Sequence, residues 1–319
     1  MKRIIGADIG GTNSRFAVFI AHEDGTLELS RSLWLETQKA SSFLNLAEQA
    51  LAQGVPLSPD IIDAAVFAVA GPVAGKAYSA PPFIPWDIDA QVLRQEFGIK
   101  NSWLINDFVA QAYACVSPIM ESALKVLPGE EDHAEAKAVI GAGTALGQAA
   151  LLPDGKGGYV PAPSEGGHAS FPFESEAEFA YMEFLLKEVG GPYVICNTVV
   201  SGRGLSLVHQ FLTGEKLAPA QLEACAREDS QTVEWMARFY GRVCRNYALQ
   251  TLARGGVYIA GGVAAKLPCL VTHPEFAREF RSSRTRAEVL EKIPVLLNRN
   301  EESGLWGAAM AALQDFTKL

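Results

Sequence analysis

The amino-acid sequence lacks several features that mark particular classes of protein. Its five cysteines are scattered and never form a CxxC pair, so neither a zinc site nor a disulfide framework is predicted. No apolar run is long enough to span a bilayer, and no signal-peptide apolar region follows Met1-Lys2-Arg3. We therefore expect a cytoplasmic protein without a membrane partner.

Basic residues are also in short supply. The chain has 27 lysines and arginines against 36 acidic residues, which gives a formal net charge of -9. Arg281 to Arg286 is a short basic cluster that we interpret as solvated surface. Because nucleic-acid binding requires a basic stripe or patch, no such partner is expected. A chain of 319 residues, 49% of them hydrophobic, exceeds one ordinary core, so two lobes are predicted.

What the sequence does have is a glycine-tipped turn near its start. The stretch DIGGTNSRF, which begins at Asp8, lies between two short apolar runs, and this pattern predicts a β-hairpin. Gly10 and Gly11 can take positive φ and let a ligand approach the backbone, while Thr12 and Asn13 add side-chain donors. Such a tip suits a phosphate group, and Asp8 can hold a magnesium ion through water. An ordinary hairpin is the competing interpretation.

The hairpin is followed by a pattern typical of a mixed α/β lobe. A third antiparallel strand is predicted first, and helices then alternate with buried strands. The predicted elements are a strand at 27–35, a helix at 41–52, a strand at 61–70, a helix ending near 97 and a strand at 102–105.

Asn106 and Asp107 follow the last of these strands. Functional groups in open α/β sheets gather at the carboxyl ends of strands, so the Asp107 carboxylate is well placed to act. A helix is predicted over residues 109–116. The alternative is therefore that Asp107 is merely the N-cap of that helix.

The second half of the chain begins with a variant of the first hairpin. A strand over 137–140 leads into the turn GAGTALG, which contains Gly143 and Thr144, and another strand follows over 148–152. One such hairpin in each half suggests two similar lobes, each with a phosphate-binding tip toward a shared cleft. Later, a buried strand ends at Gly261 and Gly262, where either an adenine ring or a simple strand-to-helix turn explains the glycines.

Glu165 and His168 flank a glycine pair in a loop rich in proline and glycine. A carboxylate and an imidazole at this spacing suit the binding of hydroxyl groups, since one accepts hydrogen bonds and the other donates or accepts them. The competing interpretation is that both are simply solvated. Metal binding is not expected at this loop, because no further histidine or cysteine lies nearby.

Taken together, these motifs resemble the bacterial glucokinase family of the sugar-kinase, heat-shock-protein and actin superfamily. The resemblance covers nearly the whole chain. GADIGGTNSRFAVF and AVIGAGTALGQAAL are similar to its two phosphate motifs, VYIAGGVAAKL to its adenosine motif, and LINDFVAQAYA to the segment with its catalytic aspartate. It implies a two-lobed ribonuclease-H-like (actin-like ATPase) α/β fold with mixed sheets and an interlobe cleft. The expected lobes are residues 1–108 plus a C-terminal helix at about 302–319, and residues 109–301.

The resemblance also implies an activity and a set of site residues. The expected reaction is the ATP-dependent phosphorylation of glucose to glucose 6-phosphate, with Asp107 as general base and with Mg²⁺ held by Asp8 through water. The family suggests a homodimer. The implied sugar contacts are Asn106, Asp107, Glu165 and His168. The implied nucleotide contacts are Asp8, Gly10, Gly11, Thr12, Asn13, Gly143, Thr144, Gly261 and Gly262.

Two departures from the family pattern concern the sugar. The family usually has a glutamate before Ser201-Gly202, where this chain reads CNTVV, although Asn197 can serve there as a neutral acceptor. It also tends to have Thr-Asn before Trp86, where this chain reads PPFIP. Each loss removes a polar contact worth about 1 to 3 kcal/mol. The alternatives are therefore a kinase for another hexose or an amino sugar, or a non-catalytic sugar- or nucleotide-binding homologue.

Two other classes fit the sequence less well. A dinucleotide-binding turn should open a helix, but the turn GAGTALG is followed by a strand-like run, which disfavours a dehydrogenase. The related zinc-containing sugar kinases and repressors carry a cysteine cluster that this chain does not have, and no helix-turn-helix precedes Arg3.

Overall fold

A computed structural model describes residues 1–130, 132–225 and 227–316. The chain divides into two units. Unit 1 contains Met1–Glu121 together with Asn300–Leu319, and unit 2 contains Ser122–Arg299. The expected division after residue 108 differs from this one at residues 109–121, which group with unit 1.

Both units contain strands and helices. The strands are β1 (Lys2–Ile9), β2 (Asn13–Ala21), β3 (Leu27–Glu36), β4 (Ala64–Val69), β5 (Tyr78–Ser79), β6 (Ile88–Asp89), β7 (Ser102–Asn106), β8 (Leu124–Leu127), β9 (Lys137–Ala142), β10 (Leu146–Pro153), β11 (Tyr159–Ser164), β12 (Val257–Ala260) and β13 (Val295–Leu297). The helices are α1 (Phe43–Ala52), α2 (Gln91–Glu96), α3 (Asp107–Ala114), α4 (Glu176–Val189), α5 (Cys196–Val199), α6 (Gly202–Thr213), α7 (Pro219–Cys225), α8 (Gln231–Thr251), α9 (Gly262–Lys266), α10 (Cys269–Thr272), α11 (Pro274–Arg281), α12 (Ala287–Lys292) and α13 (Ser303–Phe316). Within the described ranges, no helix combines the length and the apolar character needed to cross a bilayer.

Unit 1 is built on a five-stranded sheet in the order β3-β2-β1-β4-β7. The first three strands form an antiparallel meander, and β4 and β7 run parallel to β1. Every residue of β4 is buried, as predicted for a central strand. The register places Ile9, Val69 and Asn106 in one row at the carboxyl edge of the parallel strands. This edge carries the candidate site of unit 1.

Helix α13 returns to unit 1 and packs against β1 and α3. Its glycines make the approach possible. A methyl group added to Gly307 would lie 1.8 Å from the Ala110 carbonyl oxygen, and one added to Gly304 would lie 2.6 Å from Oδ2 of Asp8. The contact with α3 explains why residues after 108 belong to unit 1. Residues 317–319 of the expected helix lie outside the described residues.

Unit 2 repeats the plan of unit 1. Its six-stranded sheet has the order β11-β10-β9-β12-β13-β8, with β9, β10 and β11 as an antiparallel meander and β12 and β13 parallel to β9. The suggested duplication therefore extends from the hairpin to the whole sheet. Strand β11 was predicted only as a loop, because it contains Pro161 and Pro163. Prolines are tolerated there since β11 is an edge strand.

A buried ionic network joins three helices of unit 2. The Arg242 side chain on α8 is 2% exposed, and it donates to Oε2 of Glu178 on α4 (2.5 Å) and to Oε1 of Glu279 on α11 (2.9 Å). Nη1 of Arg245, one turn along α8, also donates to Oε1 of Glu279 (2.8 Å). Such charges are tolerable in a core only when each is paired, so the network fixes how these helices meet.

We predict that Arg242→Met destabilises unit 2. Methionine fills much of the same space but leaves the buried Glu178 carboxylate without its closest partner and Glu279 with Arg245 alone. Such a loss typically costs about 3 to 5 kcal/mol of unfolding free energy. Urea denaturation measures the change. The matched control is Arg227→Met, because Arg227 forms an ion pair with Asp229 on the surface, and it should leave the unfolding midpoint unchanged. Equal midpoints for both variants would contradict the prediction.

Candidate active site

Two carboxylates of unit 1 lie close to each other at the carboxyl edge of its parallel strands. Asp8 is the penultimate residue of β1, and Asp107 is the first residue of α3, directly after β7. Both are half-buried. The sequence predicted this location for Asp107, and the structure adds Asp8 as its electrostatic neighbour.

The N-cap of α3 is Asn106 and not Asp107, so the alternative role considered for Asp107 is wrong. Oδ1 of Asn106 accepts hydrogen bonds from the N–H groups of Phe108 (2.9 Å) and Val109 (3.4 Å), and its Nδ2 donates to the Gly71 carbonyl oxygen (3.1 Å). An asparagine is among the best residues for this position. Asp107 itself accepts from the Phe108 N–H (2.9 Å). Its carboxylate is therefore not needed to begin the helix.

The surroundings make Asp107 an unusually weak acid. Burial raises the pKa of Asp107 to about 7, the negative charge of Asp8 adds to the rise, and the hydrogen bond from Phe108 opposes it. Burial also raises the pKa of Asp8, while the Arg15 guanidinium opposes that rise. A general base with a pKa near 7 is well matched to neutral pH.

Arg15 supports Asp8 from the neighbouring strand. The two residues are register partners in the β1–β2 hairpin, with Nη1 of Arg15 3.9 Å from Oδ2 of Asp8. Arg15 also stacks on the Trp34 ring (3.9 Å to the centroid) and donates to the Glu301 carbonyl oxygen. Arg15 was not among the site residues predicted from the sequence. The signal was available, because a hairpin with its tip at Gly10–Thr12 places Asp8 opposite Arg15.

The donor set around Asp8 is compatible with Mg²⁺. This ion keeps several waters and is usually bound by one or two carboxylates together with substrate phosphates. In the part of the chain that the structure describes, no group of three or more His, Cys, Asp or Glu side chains forms an all-protein metal cage. Asp8 supplies one half-exposed carboxylate, and burial raises its pKa although Arg15 opposes that rise. A divalent cation beside it would favour the ionised form of this carboxyl group.

The first glycine tip is held by its own hairpin and by the segment after β3. Thr37 Oγ1 donates to the Gly10 carbonyl oxygen (2.7 Å), and Gln38 Nε2 donates to that of Gly11 (2.5 Å). The expectation that Gly10 and Gly11 use positive φ is wrong, since neither does. Glycine is required at Gly11 for space instead, because an added methyl group would lie 3.0 Å from Cβ of Phe83.

Thr12 and Asn13 complete the first tip. Both residues are exposed, and the Thr12 carbonyl oxygen accepts from the Thr37 N–H (2.9 Å). The backbone of the tip is therefore fixed while both side chains remain accessible to a ligand.

The second tip, in unit 2, is held by the segment around α5. The Gly143 carbonyl oxygen accepts from the Gly202 N–H (2.9 Å), and Oδ1 of Asn197 accepts from the Leu146 N–H (2.8 Å). Thr144 is exposed between these supports. Asn197 was predicted to replace the missing glutamate as a neutral acceptor of sugar hydrogen bonds. In the structure its Oδ1 accepts from the Leu146 N–H, so Asn197 helps to hold the tip, while its contact with a sugar stays a prediction.

The two glycines after β12 differ in their backbone conformation and in the space around them. Gly261 has φ +87° and lies against β9, where an added methyl group would be 2.6 Å from the Ala142 carbonyl oxygen. A strand-to-helix turn therefore explains Gly261 fully. Gly262 begins α9, and an added methyl group there would meet open space within 4 Å. Of the two glycines, only Gly262 has open space beside it, and a ligand could lie there.

Glu165 and His168 lie beside each other on a short 3₁₀ turn. Oε2 of Glu165 is 3.8 Å from Nε2 of His168, and the two side chains are 82% and 64% exposed. Gly166 and Gly167 hold the turn against β10, since a methyl group on Gly167 would lie 2.2 Å from the Leu146 carbonyl oxygen. The turn is therefore anchored next to the second tip, with both polar side chains free to meet solvent or a ligand.

The repeated meander-and-parallel sheets with Gly/Thr hairpin tips define the class of protein. These sheets and tips are features of the actin-like ATPase fold found in sugar kinases. Solved structures confirm the predicted fold class. A glucokinase from an Antarctic psychrotroph superposes with a TM-score of 0.86 at 26% identity, over 99% of both chains. A glucokinase of the ROK family from Streptomyces griseus, in complex with glucose and AMPPNP, has a TM-score of 0.64 at 19% identity, over 98% of this chain and 99% of that one.

Sequence comparison identifies the family within that class. A glucokinase from Nostoc punctiforme is 31% identical over 344 aligned positions, which cover 98% of this chain and 99% of the relative. The Glucokinase family model matches residues 5–315. The chain belongs to the glucokinase family, and so to the ATP-dependent phosphotransferases that use a hexose as acceptor.

We predict that Asp107→Asn stabilises the protein in a pH-dependent manner. An unfolded aspartate titrates near pH ~3.9, whereas Asp107 in the folded chain has a pKa of about 7. Between these values the folded state binds more protons, so the free energy of unfolding falls as pH rises from about 4 to about 7. Asparagine does not ionise, so the variant does not lose this part of the free energy of unfolding as pH rises. The melting temperature at pH 8 should rise by about 2 °C or more, and the difference should vanish at pH 4.

The control for this prediction is Asp60→Asn, which changes an exposed aspartate of unit 1. Its melting temperature relative to the unmodified protein should not depend on pH. If Asp107→Asn melted at or below the unmodified protein at pH 8, the electrostatic description of the Asp8–Asp107 pair would be wrong.

Proposed function

We propose that this protein transfers the γ-phosphoryl group of ATP to a hexose, with glucose as the first candidate and Asp107 as the general base. The observation that carries the proposal is the state of Asp107. Its carboxylate lies at the carboxyl edge of the parallel strands and has a pKa of about 7. Asn106 is the N-cap of α3, so the Asp107 carboxylate is not needed for that role. A base of that strength takes up a proton from a hydroxyl group as the oxygen attacks.

The other site residues have distinct roles in this proposal. The backbone N–H groups and side chains of the two tips hold the phosphates, through Gly10, Gly11, Thr12 and Asn13 in unit 1 and through Gly143 and Thr144 in unit 2. Gly261 and Gly262 adjoin the adenosine. Asn106, Glu165 and His168 bind sugar hydroxyls together with Asp107.

Asp8 would hold Mg²⁺ through water. When bound, the ion neutralises charge on the phosphate oxygens. The chain's own contribution is to keep Asp8 ionised and oriented, which Arg15 does from the adjacent strand.

One observation favours an acceptor other than glucose. The segment CNTVV offers no carboxylate, and the oxygen of Asn197 is already bonded to the Leu146 N–H. A hydroxyl that a glutamate would bind finds there only the remaining lone pair of a neutral amide oxygen, which is a weaker acceptor than a carboxylate. A different hexose or an amino sugar is the second candidate, and the intact Asp8–Asp107 pair argues against a non-catalytic homologue.

The experiment that tests the function measures ADP release with magnesium-ATP across glucose, mannose, fructose, glucosamine, N-acetylglucosamine and N-acetylmannosamine. Turnover of glucose in clear preference supports the first candidate. Turnover of another sugar alone keeps the chemistry and changes the substrate. ADP release that no sugar stimulates contradicts a sugar kinase.

We predict that Asp107→Ala lowers kcat for the preferred sugar by about 10² to 10⁴, the usual contribution of a general base. In the unmodified protein, kcat/KM should rise with pH and level off above about 7, because the base acts only when it is deprotonated. Initial rates between pH 5 and 9 measure both effects. A similar rate for Asp107→Ala, or a flat pH profile through 7, would remove Asp107 from the mechanism.

We predict that Asn197→Ala raises KM for ATP about tenfold and changes KM for the sugar by less than twofold. The variant removes the hydrogen bond that orients the Leu146 N–H and the second tip, and one such bond is worth about 1 to 1.5 kcal/mol. Thr198→Ala, which alters the neighbouring residue of α5, is the matched control and should leave KM for ATP unchanged. If Asn197→Ala changed KM for the sugar more than KM for ATP, Asn197 would instead be a residue that contacts the sugar.

A further inference from the structure

We infer that Phe83 forms an apolar wall of the hexose site and selects sugars that turn a C–H face, rather than a hydroxyl, toward its ring. The inference rests on the proposed function and names the class of acceptor. Its starting point is the exposure of Phe83, which is 64% although its neighbour Ile84 is only 7% exposed. Single exposed apolar side chains are normal on protein surfaces, so what distinguishes Phe83 is the place in which its segment holds it.

The segment that carries Phe83 is rigid. Three of its five residues, in PPFIP, are prolines, which fix φ and reduce the freedom of the loop. Ile84 is buried in the core of unit 1, and Nε1 of Trp86 donates to the Ala40 carbonyl oxygen (2.9 Å). Because the residues on the C-terminal side of Phe83 are anchored, the ring is presented at a fixed place and is not an accident of a loose loop.

One end of the segment lies against the phosphate tip. Gly11 is so close that an added methyl group would be 3.0 Å from Cβ and 3.2 Å from the carbonyl oxygen of Phe83. Nε2 of Gln38 joins the two backbones, since it donates to the carbonyl oxygens of Gly11 (2.5 Å) and Phe83 (3.4 Å). The position of the Phe83 ring is thereby coupled to the tip proposed to hold the donor phosphates.

The N-terminal end of the segment lies against Gly71, which is hydrogen-bonded to the residue that precedes the proposed base. A methyl group on Gly71 would lie 3.2 Å from Cα of Pro81, and the Gly71 carbonyl oxygen accepts from Nδ2 of Asn106 (3.1 Å). The segment therefore spans the interval between the phosphate tip and Asn106-Asp107. An acceptor hydroxyl must lie in this interval if its proton goes to Asp107 and its oxygen attacks the phosphoryl group.

The chemistry of the ring determines which sugars fit. A phenyl ring neither donates nor accepts ordinary hydrogen bonds, so a hydroxyl turned toward it loses its water without gaining a partner. A C–H face or an acyl methyl group loses nothing polar and gains contact area. The site should therefore tolerate loss of one ring hydroxyl, where a site with an amide would discriminate strongly against the deoxy sugar.

The test compares kcat/KM for glucose, its 2-, 3- and 4-deoxy analogues and N-acetylglucosamine in the unmodified protein, Phe83→Ala and Phe83→Asn. All three retain Cβ and the backbone that contact Gly11. In the unmodified protein, at least one deoxy analogue should be used within threefold of glucose. Phe83→Ala should raise KM for the sugars about fivefold or more with little change in kcat or in KM for ATP. Phe83→Asn should turn the preference toward glucose over that deoxy analogue at least tenfold.

The matched control is Phe179→Ala, which removes another exposed phenyl ring (46%) from α4 and should change no kinetic constant. Sugar KM values within twofold of normal in Phe83→Ala would overturn the inference, as would a change confined to KM for ATP. These results leave the proposed function intact, because it is judged on turnover by the unmodified protein. If no sugar is turned over, calorimetric titration with glucose replaces the kinetic test. The inference about Phe83 is then overturned if Phe83→Ala binds glucose as tightly as the unmodified protein does, or if the unmodified protein does not bind glucose.

Discussion

The arrangement of unit 1 depends on keeping two like charges close together in a half-buried place. Asp8 lies near the end of β1 and Asp107 directly follows β7, and only β4 separates these strands, so the sheet itself brings the two residues to one edge. Loss of water raises the pKa of both carboxyl groups, and the charge of Asp8 adds to the rise at Asp107. Arg15 and the approach of α13 at Gly304 hold Asp8 in place against that cost. The burial that weakens the fold therefore also makes Asp107 a stronger base, and functional sites commonly trade stability for activity in this way.

Close backbone approach is the second principle of the fold, and it accounts for glycines that the sequence alone explains differently. Gly11, Gly167 and Gly307 all have ordinary φ, yet an added methyl group at each would lie 3.0 Å or less from a neighbouring atom. In each case the contact joins segments that carry candidate site residues. The glycine-rich motifs thus place the two tips, the Glu-Gly-Gly-His turn and the C-terminal helix, and the positive φ expected at the first tip is not used.

Much of unit 1 could be predicted from the sequence because its signals are local. The first hairpin, the buried β4 and the C-terminal helix each follow from periodicity, glycine pairs or an unbroken apolar run. The sequence could not show that Asn106 rather than Asp107 caps α3, because both types favour that position and only the backbone decides between them. Nor could it show the partners of Asn197 and Arg242, which lie 51 and 64 residues away along the chain. Such pairings are decided by tertiary packing, and β11 was missed for the same reason, since only its place at an edge makes its prolines acceptable.

The position of α13 in the chain also has a consequence for folding during synthesis. Chains generally fold from the N-terminus as they leave the ribosome, but the helix that packs against β1 and α3 is made only after all of unit 2. The apolar surface of the first sheet beneath α13 therefore stays uncovered while unit 2 is synthesised. Asp8 acquires its final surroundings only when Gly304 has been made. The edge that carries Asp8 and Asp107 is therefore completed only after the whole of unit 2 has left the ribosome.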